Sequence, residues 1–182
     1  MSDFFALAQQ AEADPSTADF AALRQAYVAS PAYRPFKHIL HSKLRQITDS
    51  AQNLDEVLKI CRDLLTANPL DLEARMMLAF LLEKSGQTAA AEREHVFAER
   101  LLDAILATGD GKSFEKAIQV VAEAEMWTVM RAFGIQAEGQ ERHQREGRVY
   151  DVFTGAIDGR AVTIYFDATL PAQHFDTDIV GA

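Results

Sequence analysis

From Phe4 to Ile105 apolar residues recur at intervals of three and four, the spacing that lines one side of an α-helix. Between Arg148 and Asp167 they alternate instead, as on a half-buried strand. The front of the chain therefore predicts helices and the back a small sheet. Phe4, Phe5, Leu7, Ala8 and Ala11 define a short first helix that stops before Asp14-Pro15-Ser16. Thr17 is placed to cap a second, carrying Phe20, Leu23, Ala26 and Tyr27. Pro31 and Pro35 exclude a helix interior, so residues 30–36 read as an ordered arm anchored by Tyr33 and Phe36. Further helices are expected over 37–49, from Asn53 to Thr66, from Leu70 to Lys84 and, capped by Thr88, from Ala89 to about Thr108.

Part of this run has a longer period. In a 34-residue tetratricopeptide frame with Pro69 in the terminal proline place, the next repeat starts at Leu72. Its small-residue places fall on Ala79, Ala91 and Ala98, its large apolar places on Leu78 and Leu82, and its inter-helix glycine on Gly86. The preceding repeat fits less well, with Arg45 where a small residue belongs. Helix-pair stacking follows from this more directly than peptide binding, because single repeats usually act as scaffold.

Gly109-Asp110-Gly111-Lys112-Ser113 ends the helical half. Phe114 to Val121 then predicts entry into a strand, and Ala122 to Phe133 a short helix with Met126, Trp127 and Met130, closed by Gly134. Three strands follow: Ile135 to about Arg145, Arg148 to Ile157, and Arg160 to Asp167. Asp158-Gly159 is a strong two-residue hairpin signal, and it sets Ile157 opposite Arg160. That register puts Asp151 on the apolar face with Val149, Phe153 and Ile157, opposite Phe166. Beyond Pro171 the tail reads as loosely held. The expected fold is α+β: a tetratricopeptide-like helical region over 1–108, then a small antiparallel sheet with one short helix over 109–182, packed as one unit.

Composition narrows the function classes. The 182 residues carry a net charge of −9. The front half has 11 basic against 15 acidic residues and the back half 7 against 12, so neither offers a basic face. Nucleic acid and anionic membrane are disfavoured as partners, since both need one. Cys61 is the single cysteine, so no intrachain disulfide and no multi-thiol metal site can form; its neighbours place it, inert, on an apolar helix face. His38 and His41 are spaced to share a metal, but no third ligand lies on their helix, and no metal or cofactor is expected. Acidic residues at Asp3, Glu12 and Asp14 do not fit a signal peptide, which makes the cytoplasm the expected compartment.

Two features carry candidate chemistry. The 109–113 stretch ends like a phosphate loop, yet Leu106 stands where that motif needs glycine, and the chain leaves a helix for a strand rather than the reverse. The better reading is a turn in which Gly109 forms a left-handed cap, Gly111 a second positive-φ position, and Asp110 or Ser113 bonds backbone amides. Asp151 is the odd residue of the sheet, because a buried carboxylate needs a partner. Lys112, Arg131 and Arg148 are candidates, and the expected brace is Asp151 to Lys112. Asp110, Lys112, Ser113, Tyr150 and Asp151 together form the candidate binding site where helices meet sheet. No second positioned carboxylate or histidine accompanies Asp151, so no catalytic residues are assigned.

Several of these stretches resemble a single bacterial family. They are Leu23-Arg24-Gln25-Ala26-Tyr27 with Tyr33-Arg34-Pro35-Phe36, the repeat helices, the Gly109–Ser113 junction, and Val149–Phe153 with Ile164-Tyr165-Phe166. The chain is similar along nearly its whole length to domain of unknown function 4919. That resemblance implies a tetratricopeptide-like helical part with a small C-terminal sheet, and it implies no activity. The expected function is a non-enzymatic interaction module whose acidic helical surface binds a protein partner. The alternative is a small-molecule-binding domain or enzyme with its site near Lys112 and Asp151.

Overall fold

The computed structural model describes residues 3–35 and 54–179, with side chains to residue 174. Phe36, the helix expected over 37–49 and the His38/His41 pair lie outside these residues. The chain divides into two compact units, Met1–Leu102 and Asp103–Ala182.

In the first unit, α1 (Phe4–Ala13) and α2 (Phe20–Val28) are each capped by an aspartate. The Asp3 carboxylate accepts from the Phe5 amide at 3.0 Å and that of Asp19 from Ala22 at 3.0 Å. Asp19 takes the place expected of Thr17, whose hydroxyl donates to Asp14 at 3.0 Å instead. A carboxylate on the residue just before the helix serves the exposed amides better than a hydroxyl already engaged. Tyr33 anchors the arm as expected, its ring 5.2 Å from that of Tyr27, which in turn lies 5.2 Å from Phe4.

Helices α3 (Leu54–Ala67), α4 (Leu72–Lys84) and α5 (Thr88–Leu106) continue the array. Asp71 caps α4 through the Ala74 amide, 3.0 Å away. Val57, Leu58, Cys61 and Leu65 of α3 bury against Ala74, Leu78 and Leu82 of α4, with Ala91 of α5 in the same cluster. Each such leucine contributes about 1.5–3 kcal/mol on leaving water. The small residues picked out by the repeat frame, Ala79, Ala91 and Ala98, are all buried, and Gly86 turns the chain at φ +76°. Small side chains permit close helix approach, and glycine permits the turn.

The second unit holds a four-stranded sheet in the order β1-β4-β3-β2. β2 (Gln136–Arg145), β3 (Arg148–Ile157) and β4 (Arg160–Asp167) pair antiparallel. The hairpin register is the expected one, with Ile157 opposite Arg160 and Asp151 opposite Phe166. Positive φ at Asp158 (49°) and Gly159 (75°) gives the turn that suits right-twisted strands. The strand expected over Phe114–Val121 shrinks to β1, Ile118–Gln119, because turns occupy the residues before it. β1 runs parallel to β4, so the sheet is mixed rather than purely antiparallel. Helix α6 (Glu123–Ala132) ends at Gly134, φ +66°, as read from sequence. Of the segment beyond Pro171, expected to be loose, residues 172–179 belong to α7 (Thr169–Ile179). Asp167 anchors its start, accepting from the Thr169 amide at 3.0 Å.

Candidate functional site

The junction loop is held by its own backbone. The Gly111 amide donates to the Lys116 carbonyl at 2.8 Å, and the Gly111 carbonyl accepts from the Tyr165 amide of β4 at 2.9 Å. Gly111 has the predicted positive φ, 68°. Gly109 does not, so it is no left-handed cap; it is glycine because a Cβ there would come within 2.5 Å of the Lys116 and Ala117 carbonyl oxygens. Asp110 accepts from the Lys112 amide at 3.0 Å and lies 3.8 Å from the Lys116 ammonium. Ser113 bonds the Glu115 side chain, which holds that carboxyl below its usual range. Lys112 is exposed.

Phe114 leaves the loop to cover one face of the sheet. Its ring meets those of Tyr165 at 4.8 Å, Tyr150 at 5.1 Å and His143 at 5.5 Å, and the Arg145 guanidinium lies 4.3 Å from its centroid. Tyr150 is thus a wall of an aromatic cluster.

Asp151, one residue on, points to the opposite face, fully buried. Its carboxylate accepts from Arg142 Nε at 3.0 Å and Nη2 at 2.7 Å, and from Gln140 at 3.3 Å. The expected brace to Lys112 is therefore replaced by a pair inside the sheet: Arg142 stands directly opposite Asp151 on β2, and its planar fork fits the carboxylate in a way an ammonium cannot. Arg148 pairs with buried Asp167 on the other face. Of the five candidate residues, Asp110 and Lys112 meet in one turn with Ser113 beside them. Tyr150 and Asp151 are separated by the thickness of the sheet, and no common site gathers all five.

The first unit presents a different opening. A groove of about 340 Å³ along α4 and α5 is lined by Glu83, Thr88, Ala91, Glu92, His95, Val96 and Glu99. Three of these seven are glutamates and none is lysine or arginine. Glu92, His95, Val96 and Glu99 share a side of α5, spaced three and four apart. Glu92, Glu94 and Glu99 are all charged residues of α5, and the structure divides them. Glu94 turns inward to Arg75 at 2.7 Å, while the other two line the groove. Glu83 and His95 were not singled out in the sequence, although the α5 spacing places His95 between Glu92 and Glu99. His95 Nε2 lies 4.0 Å from the Glu83 carboxylate across the groove.

Cys61 is buried and inert, its thiol pushed up to about 12 chiefly by burial. Among the described residues no group of histidine, cysteine and carboxylate side chains is arranged to hold a metal, and no helix is long and apolar enough to cross a membrane.

An array of short helices followed by a small mixed sheet and a closing helix defines the molecule as an α+β protein with a helix-rich front. The chain belongs to the family described as Domain of unknown function (DUF4919), which it matches over residues 7–173. No curated protein and no solved structure matches it.

Proposed function

We propose that the protein is a non-enzymatic interaction module whose helical array, tetratricopeptide-like in the small-residue places of α4 and α5, receives a basic segment of a protein partner along the α4/α5 groove. The observation that carries this reading is the groove itself, roomy enough for side chains and walled by Glu83, Glu92 and Glu99 with no lysine or arginine among its described lining residues. A one-signed concave surface concentrates partners of opposite charge and speeds their encounter. The overall charge of −9 acts in the same sense at longer range. Phe80 and Met76, both exposed on α4, add apolar area to the same helix. The cytoplasm is the compartment we assign, in keeping with a single buried thiol.

The test compares the full chain with the triple charge reversal Glu83→Lys, Glu92→Lys, Glu99→Lys as immobilised bait at low and raised salt. Native bait is expected to retain proteins with clustered lysine or arginine, released by salt, and the variant to lose them. Identical retention by both baits would overturn the reading.

A further inference from the structure

β2 is the open edge of the sheet: in the order β1-β4-β3-β2 its outer side pairs with no described strand, and all but one of its ten residues are exposed. A long strand left this way carries a row of unpaired amides and carbonyls. Which ones face outward follows from the neighbouring strand. The Val149 amide and carbonyl are bonded to Thr169 and Ala168, away from β2, so Gln144 opposite Val149 turns its own amide and carbonyl outward. Alternation along the ladder gives the same outward direction to Arg142 and Gln140. The register shift between Ala137 and Gly139 limits the regular free edge to residues 139–145.

The charges along this edge are polar in order. Glu141 falls in its first part; Arg142, His143 and Arg145 fill its second. An antiparallel neighbour of the same sequence lays acidic part against basic part twice, by symmetry. We infer that β2 is the interface of a two-fold symmetric dimer, in which two copies of this chain join edge to edge into one eight-stranded sheet. The axis passes at Arg142. Gln140 and Gln144 of one copy then meet Gln144 and Gln140 of the other through the outward backbone groups, and each Glu141 stands beside His143 and diagonal to Arg145 of the second copy. Arg142 near the axis is tolerated because each copy's Asp151 already neutralises it. This interface is independent of the α4/α5 groove, and either can fail without the other.

Sedimentation velocity of the full chain over a wide concentration range provides the test. The expected result is a reversible species of about twice 20.2 kDa. Gln144→Pro removes an outward amide that bonds nothing among the described residues, so it is expected to give monomer with an unchanged circular-dichroism spectrum. Glu141→Arg, at a side chain 80% exposed, keeps the fold by any account. It places like charges across the axis and is expected to weaken the dimer roughly tenfold. A chain that stays monomeric at several hundred micromolar, or a dimer unmoved by both substitutions, would overturn the inference.

Discussion

Asp151 and Arg142 face each other across neighbouring strands, the carboxylate fully buried and gripped at two points, the guanidinium half open to solvent. Such a pair adds little net stability as a whole, yet removing one member leaves the other uncompensated. Arg142→Ala, which strands Asp151 with only Gln140, is expected to lose about 3 kcal/mol in urea unfolding. Asp151→Asn with Arg142→Met together is expected to lose less than the sum of the single changes, by about 1–2 kcal/mol. Strict additivity would show that the two groups do not act as a unit. Lys112→Met should leave the melt unchanged, since Lys112 is exposed and the carboxylate is satisfied elsewhere.

Cys61 gives a pH prediction of definite sign. Burial raises its thiol from 9.0 to about 12, so the unfolded chain releases that proton first. Stability from this group is fully present below pH 9 and declines as pH rises toward the folded value, by about 1.4 kcal/mol per pH unit. Unfolding free energies of native protein and Cys61→Ala, measured from neutral pH to pH 11, should diverge in slope only above pH 9. The native thiol should also resist a disulfide reagent at pH 8 until denaturant is added. Rapid labelling of the folded chain would contradict the burial argument.

The two junction glycines should respond differently to alanine. At Gly109 the new methyl would press on two backbone carbonyl oxygens at 2.5 Å, which cannot move without shifting the 116–117 turn. A loss of about 3 kcal/mol is expected, typical of overpacking against rigid atoms. At Gly111 the obstacles are side-chain atoms, Ile164 Cγ1 at 3.0 Å and Ile118 Cδ1 at 3.2 Å, and the main cost is the left-handed backbone. About 1–2 kcal/mol is expected there. Gly111→Asn should recover part of that loss, since asparagine tolerates the left-handed region; Gly109→Asn should recover none. Thermal melts of the four variants separate the two mechanisms.

Local signals carried most of the fold. Asp158-Gly159 stated its own turn, and the turn dictated every partner from Ile157–Arg160 to Asp151–Phe166. Gly134 and Gly86 likewise stopped helices where they stand. What the chain did not announce were choices made by distant residues. Asp151 had several cations within reach of reasoning, and only the β2–β3 register, fixed by the Glu146-Gly147 turn, brings Arg142 opposite it. Phe114 has strand-like character, yet it serves as a lid for Tyr150 and Tyr165, a role set by tertiary packing. The groove was half visible: the spacing of Glu92 and Glu99 was plain, but the inward turn of Glu94 depends on Arg75, nineteen residues earlier.

Arg75 itself supplies the last prediction. It lies on the apolar side of α4 with Leu78, Ala79 and Leu82, and only 1% of it is exposed. Its guanidinium donates to the Pro69 carbonyl at 3.0 Å and to Glu94 at 2.7 Å, pairs with Glu12 of α1, and lies 3.7 Å from the Phe97 ring centroid. One cation thus joins α1, α4, α5 and the turn before α4. Arg75→Leu keeps apolar bulk but leaves Glu94, mostly buried, without its cation, and is expected to lose about 3–5 kcal/mol. Arg75→Lys retains charge but cannot reach the two carboxylates and the carbonyl in one plane, and an intermediate loss of about 2 kcal/mol is expected. Adding Glu94→Leu to Arg75→Leu should restore much of the loss, because an apolar pair of similar volume replaces a broken ionic one. If the double variant were as unstable as the sum of its parts, shape rather than charge compensation would be what Arg75 supplies.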